Sequence, residues 1–143
     1  MAYRFLEDIA TADVAFEAAA ATREELFAQC AEALLATMVA SPGDVGRHET
    51  LNVTLEHDEL DLLLFAFLGE LVYCKDAQRL LLHAAQVTIV GSTGSFRLEA
   101  VLCGERIDPA RHRLLVDVKA VTLHRLQVAQ AADEWRATVV LDI

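Results

Sequence analysis

At 143 residues the chain is long enough for one domain that buries about 70% of its unfolded surface, so a conventional core needs no disulfide or metal staple. Twelve basic against 22 acidic residues give a net charge of −10, which repels polyanions and excludes a chain that grips nucleic acid through its own basic face. The longest apolar run, residues 62–68, falls well short of the ~20 residues that span a bilayer.

The first residues, Met1-Ala2-Tyr3-Arg4-Phe5-Leu6-Glu7-Asp8, lack the basic and then apolar regions of a secretory leader, and a cytoplasmic address is expected. Cys30, Cys74 and Cys103 are odd in number and far apart, which suits reduced core residues better than a disulfide framework or a zinc site. Val14, Phe16 and Ala18 alternate with small or polar neighbours as a short half-buried strand, and Asp13 stands at its start. Thr22-Arg23-Glu24-Glu25 has the capping-box arrangement, so a helix starts there. Leu26, Cys30, Leu34 and Met38 form its apolar stripe, and Ser41-Pro42-Gly43 ends it.

Leu51, Val53 and Leu55 alternate with polar residues as a second strand. Residues 60–73 are too long and too rich in helix formers for a strand, and predict a buried second helix capped by Asp58, with Glu59 and Asp61 near its positive end. The second half is strand-like over residues 86–91, 95–103, 114–124, 126–130 and 135–143. Gly91-Ser92-Thr93-Gly94 marks a hairpin, Gly104-Glu105 and Asp108-Pro109 a loop, and Ala131-Ala132-Asp133-Glu134 a short antiparallel connection. Two helices packed on antiparallel β-sheet, in one α+β domain over residues 1–143, is the expected architecture.

No Gly-rich phosphate loop, nucleophile elbow, CxxC or HExxH occurs, and His48, His57, His83, His112 and His124 are scattered as ordinary surface or core histidines. The last nine residues are more informative. Trp135, Ala137, Val139, Leu141 and Ile143 share one face of a strand, and Arg136, Thr138, Val140 and Asp142 share the other. The Asp142 carboxylate lies one residue from the main-chain carboxylate of Ile143, and two anions that close repel unless a cation joins them. A bound cation and a solvated tail are both open readings of these residues alone. Lys119 sits in an otherwise apolar stretch where an ammonium needs a partner or snorkels to solvent from a strand edge; Asp117, two residues away on the same side of a strand, is one choice of partner, and a carboxylate cluster is another.

Three separated pieces carry a resemblance. Thr11-Ala12-Asp13-Val14, then Val118-Lys119-Ala120-Val121-Thr122-Leu123-His124, then Trp135 with Val139-Val140-Leu141-Asp142-Ile143, supported by Thr22-Arg23-Glu24-Glu25-Leu26-Phe27, together resemble the archease family over essentially the whole length. The resemblance implies an accessory protein and not an enzyme, one that stimulates guanylylation and repeated turnover of an RtcB-type RNA ligase in tRNA splicing and RNA repair. It also implies a divalent-metal site carried onto Asp13, Asp142 and the terminal carboxylate of Ile143, with calcium the expected ion and magnesium second, and a functional role for Lys119.

Hard oxygen donors of this kind suit calcium or magnesium and not zinc. The chain departs from the family pattern at Ala10, where a His is usual, and at Ala15, where a Gly is usual. A chaperone-like interaction module without metal-dependent activity is the alternative reading. A metal-dependent hydrolase would need a nucleophile or general base beside the ligands, and none is present in the sequence there. No direct high-affinity nucleic-acid binding and no membrane association are expected.

Overall fold

The computed structural model describes residues 2–6 and 13–143. Within them the chain forms β1 (Ala2–Leu6), β2 (Asp13–Ala20), α1 (Arg23–Met38), β3 (Glu49–His57), α2 (Leu60–Gln78), β4 (Leu80–Ser92), β5 (Ser95–Arg106), β6 (Ala120–Val121), β7 (Gln127–Ala131) and β8 (Glu134–Asp142). The α+β expectation holds: two helices accompany two antiparallel sheets.

The local chemistry explains the boundaries. Thr22 is extended, and its hydroxyl accepts the Glu25 amide at 3.1 Å, which satisfies one of the free donors at the start of α1. At the other end Val39 turns extended and Pro42 opens a short 3-10 turn. Helix α2 runs past Tyr73 to Gln78, where Arg79 takes the left-handed conformation (φ 54°) and its amide bonds back to the Cys74 carbonyl, a C-cap made without glycine. Asp58 does not cap α2. Residue 59 holds that position with no side-chain bond, while Asp58 pairs with His57 and the Asp61 carboxylate accepts the Leu62 amide.

Strand β8 is the centre of the first sheet. On one edge it pairs with β2 throughout, from Asp13 opposite Asp142 to Ala20 opposite Trp135, and β1 lies outside β2. Its other edge is divided between β6, opposite Asp142 and Leu141, and β7, opposite Thr138 through Glu134. The second sheet has the order β3-β5-β4, with the β4–β5 hairpin turning at Gly91 and Gly94, both at positive φ. A Cβ on Gly91 would fall 2.0 Å from the Ser95 carbonyl oxygen, so the turn admits only glycine there.

Both helices pack on strands of both sheets, and this accounts for apolar residues around most of their circumference. Phe16, Leu26, Phe27, Leu34, Leu63, Phe67, Leu98 and Val139 are essentially inaccessible and belong to one continuous core. The rings of Phe27 and Phe67 join α1 to α2 with centroids 5.8 Å apart. No helix among the described residues is long and apolar enough to cross a membrane.

Residues 114–124 do not form the continuous strand expected of them. Only Ala120–Val121 forms a ladder: Ala120 lies opposite Asp142, the last residue of β8, so the residues before it lie beyond the end of that strand, and after Val121 the chain leaves the edge and returns as β7. Upstream, Leu114 bridges Val39, the Leu115 amide bonds to the Met38 carbonyl, and Leu114, Leu115 and Val116 keep 39–52% of their surface exposed. Alternation alone could not distinguish this apolar but exposed run from a buried strand.

Candidate cation site at the end of the last strand

The register of β2 against β8 fixes the first element of the site. Asp13 lies directly opposite Asp142. Residues directly opposed in an antiparallel pair present their side chains on the same face, with Cβ atoms about 4.5–5.5 Å apart. Two carboxylates therefore meet across adjacent strands, a placement that destabilises a sheet unless the charge is compensated. Among the described residues, no side-chain hydrogen bond or ion pair engages either carboxylate.

One pleat further in, on the same face, Ala15 lies opposite Val140, and both are buried at 2% and 0% exposure. The pair thus sits at the edge of a water-excluded stretch, where charge interactions are stronger than in bulk solvent. The expected two-faced pattern of β8 is modified here, since Val140 is as buried as Val139 and Leu141. Asp142 itself is exposed, Asp13 is half-buried, and the Ile143 side chain packs against the core.

The opposite edge of β8 brings in the third element. The Lys119 amide donates to the Asp142 carbonyl at 2.8 Å, and Thr122 donates both its amide and its hydroxyl to the Val140 carbonyl, each at 3.0 Å. Asp13, Asp142, Ile143 and Lys119 are therefore gathered at one end of one sheet, with the Lys119 side chain exposed.

No group of three or more His, Cys, Asp or Glu side chains among the described residues is arranged to hold a metal. A cation here would be held by two Asp side chains and the main-chain carboxylate of Ile143, an all-oxygen set that fits a hard ion such as calcium or magnesium. Such an ion takes about six to eight oxygens when it is calcium, leaving positions for water or a partner's groups.

Asp117 does not pair with Lys119. It binds Lys75 on α2, whose ammonium lies 2.5 Å from an Asp117 oxygen, 2.7 Å from the Val118 carbonyl and 2.8 Å from Asp76. Lys75 is 6% exposed. Burial pulls its pKa down, but the hydrogen bonds and charges of Asp117 and Asp76 outweigh that and leave it raised, so the group is a firm cation. Sequence reasoning missed Lys75. Its signal was its place four residues after Leu71 on the stripe Leu64, Leu68, Leu71, where a fourth apolar residue would be expected.

The two buried histidines, His83 and His112, have structural roles. His83, 4% exposed, faces Glu32 at 2.7 Å through Nδ1 and the Val45 carbonyl at 3.1 Å through Nε2. With acceptors at both nitrogens, led by the Glu32 hydrogen bond, its pKa is raised above 6.5. His112 accepts the Asp108 amide at Nδ1 and so carries its proton on Nε2, toward Glu105, which also binds Arg111 and the Gly46 amide. All three cysteines are buried and unpaired; burial pushes the Cys30 and Cys74 thiols up, which makes them poor nucleophiles.

Of the two departures from the family pattern, Ala10 lies outside the described residues. Ala15 is an ordinary strand residue between Leu6 and Val140 and is not at positive φ, so the conformational freedom of glycine is not needed there.

Comparison with known proteins identifies the family and the fold. The model of the Archease protein family matches residues 3–143. Protein archease of Pyrobaculum neutrophilum is 34% identical over 142 residues, covering 99% of this chain and 95% of the relative. Protein archease of Methanosarcina acetivorans is 32% identical with the same coverage. The solution structure of Methanobacterium thermoautotrophicum protein 1598 matches with a TM-score of 0.84 at 27% identity, over 99% of this chain and 98% of that one. The crystal structure of a Thermotoga maritima archease, described as a possible chaperone, shares the fold at a TM-score of 0.66 and 18% identity, over 94% and 93%.

Proposed function

Because the chain belongs to the archease family, we propose that it is an accessory protein that stimulates guanylylation and repeated turnover of an RtcB-type RNA ligase. It does so through a divalent cation held by Asp13, Asp142 and the Ile143 carboxylate. The observation that carries this reading is the direct opposition of Asp13 and Asp142, two carboxylates that make no side-chain hydrogen bond or ion pair among the described residues. Calcium fits the donor chemistry, and magnesium is the second choice.

Each residue has its own part in this reading. Asp13 and Asp142 bind the ion, Ile143 contributes the main-chain carboxylate, and Lys119, exposed beside them, meets the ligase or its nucleotide. An incomplete protein shell leaves coordination positions that the partner can occupy, which ties the ion to docking. The net charge of −10 favours acting on RNA through another protein and not by direct contact.

The alternative, a chaperone-like interaction module, draws on the exposed run Leu114-Leu115-Val116 and predicts no dependence on metal. Formation of the ligase–GMP adduct, followed with and without this protein and calcium, decides between them. Stimulation by wild type that is lost in Asp142→Asn is expected. Stimulation unaffected by that substitution and by chelation moves the function to the apolar run, and no stimulation at all removes the ligase.

A further inference from the structure

Lys75 is an expensive residue in its position. A lysine on the buried stripe of an apolar helix loses solvation and side-chain freedom, and an apolar side chain of similar length would fill the same volume without that loss. The ammonium is used instead to hold three oxygens, two of which belong to residues 117 and 118. Those residues have no ladder partners of their own, since β6 starts at Ala120.

The contact continues directly to the proposed cation site. Val118, whose carbonyl Lys75 holds at 2.7 Å, is fully buried, and the next amide, that of Lys119, donates to the Asp142 carbonyl at 2.8 Å. A buried ammonium on α2 is thus linked through one residue of irregular chain to the last turn of the pleat that carries Asp142. We propose that Lys75 is a positioning residue for the cation site, fixing residues 117–119 and through them the end of β8 in the geometry the ion requires. This inference rests on the cation reading given above.

Electrostatics makes the test discriminating. Removing a positive charge near an anionic site strengthens cation binding by itself, so a simple charge effect makes Lys75→Met bind calcium more tightly. Positioning predicts the reverse, because residues that orient metal ligands typically change affinity by about 10–100-fold. Calcium titration calorimetry on the full chain is expected to show a Kd about tenfold weaker for Lys75→Met, the lower end of that range. Hydrogen exchange at the Lys119 amide is expected to speed up in parallel, and Lys75→Arg to recover most of both.

Binding by Lys75→Met equal to or tighter than wild type overturns the inference. Wild type that binds no calcium removes the cation site itself, whereas wild-type binding that Asp142→Asn abolishes and Lys75→Met leaves unchanged removes only the role of Lys75. Should Lys75→Met fail to fold, Asp117→Asn carries the test, since the Asp117 side chain is 73% exposed. Faster exchange at the Lys119 amide supports the inference there, and unchanged exchange overturns it.

Discussion

Both sheets set charged residues directly opposite one another across a strand pair, but the signs differ from place to place. In the three-stranded sheet Glu56 lies directly opposite Arg97, the two side chains meet at 2.8 Å, and Arg97 also reaches Glu99 at 3.2 Å. At the outer edge of the five-stranded sheet Arg4 lies opposite Glu17 in the same way, at 3.4 Å. At the end of β8 the opposed pair is Asp13 and Asp142. Where charges only decorate a sheet, the sequence pairs them with opposites; where β2 meets the last residues of β8, it opposes like charges and accepts the cost. That contrast, more than the number of acidic residues, is what the proposed cation site rests on.

The largest effect expected tests whether the two sheets share one support. Phe67 is fully buried on α2, against Phe27 of α1, in the core both sheets use. Phe67→Ala is expected to cost about 3–5 kcal/mol, measured by urea unfolding, with both cross-strand pairs left in place. Calcium is expected to add the same increment to this variant as to wild type. An increment that disappears with Phe67 would mean that the site depends on the whole core and not on the β2–β8 register.

A smaller effect isolates the site itself. At free calcium about 100 times Kd, binding to the folded state alone adds about 2.7 kcal/mol. Wild type is expected to gain that stability in thermal unfolding, and Asp142→Asn to gain almost none. A chain extended beyond Ile143, which turns the terminal carboxylate into a neutral amide, is expected to lose much of the gain as well. Equal calcium responses in all three would leave the opposed carboxylates as a structural curiosity.

How much of this was legible in the sequence varies with the kind of signal. Thr22 and Glu25 announce α1 because a cap is a local device, and Gly91 and Gly94 announce the hairpin because positive φ is a local demand. The sequence displays Asp13 and Asp142 as candidates but not their opposition, since register is set by the whole β2–β8 ladder and not by either residue.

Strand β1 carries little signal in the sequence because its five residues form an exposed edge in which only Tyr3 and Leu6 are half-buried. Strand β4 begins earlier than alternation suggested: Leu80 to His83 are all buried, so the period-two signal vanishes there. The partner of Asp117 was out of reach for a different reason. Lys75 is 42 residues away, and only the tertiary path of residues 107–119 brings them together.

The smallest expected effect is the one that reverses sign, and it tests the contrast between the sheets most directly. If Asp13 and Asp142 repel each other in the folded protein, neutralising one relieves a cost present only when strands β2 and β8 are paired. Asp13→Asn is then expected to stabilise the calcium-free protein by about 0.2–1 kcal/mol, the range for cross-strand charge pairs, as read from urea unfolding in excess chelator. Added calcium reverses the order, because the wild type gains an ion that the variant holds poorly. No such crossing is expected for Arg97→Gln, where the opposed charges attract and calcium has nothing to join. A calcium-free Asp13→Asn less stable than wild type would show that the carboxylate is already neutralised by a group of the protein itself. The like-charged pair would then be equivalent to the Glu56–Arg97 pair, with its partner supplied from within the chain.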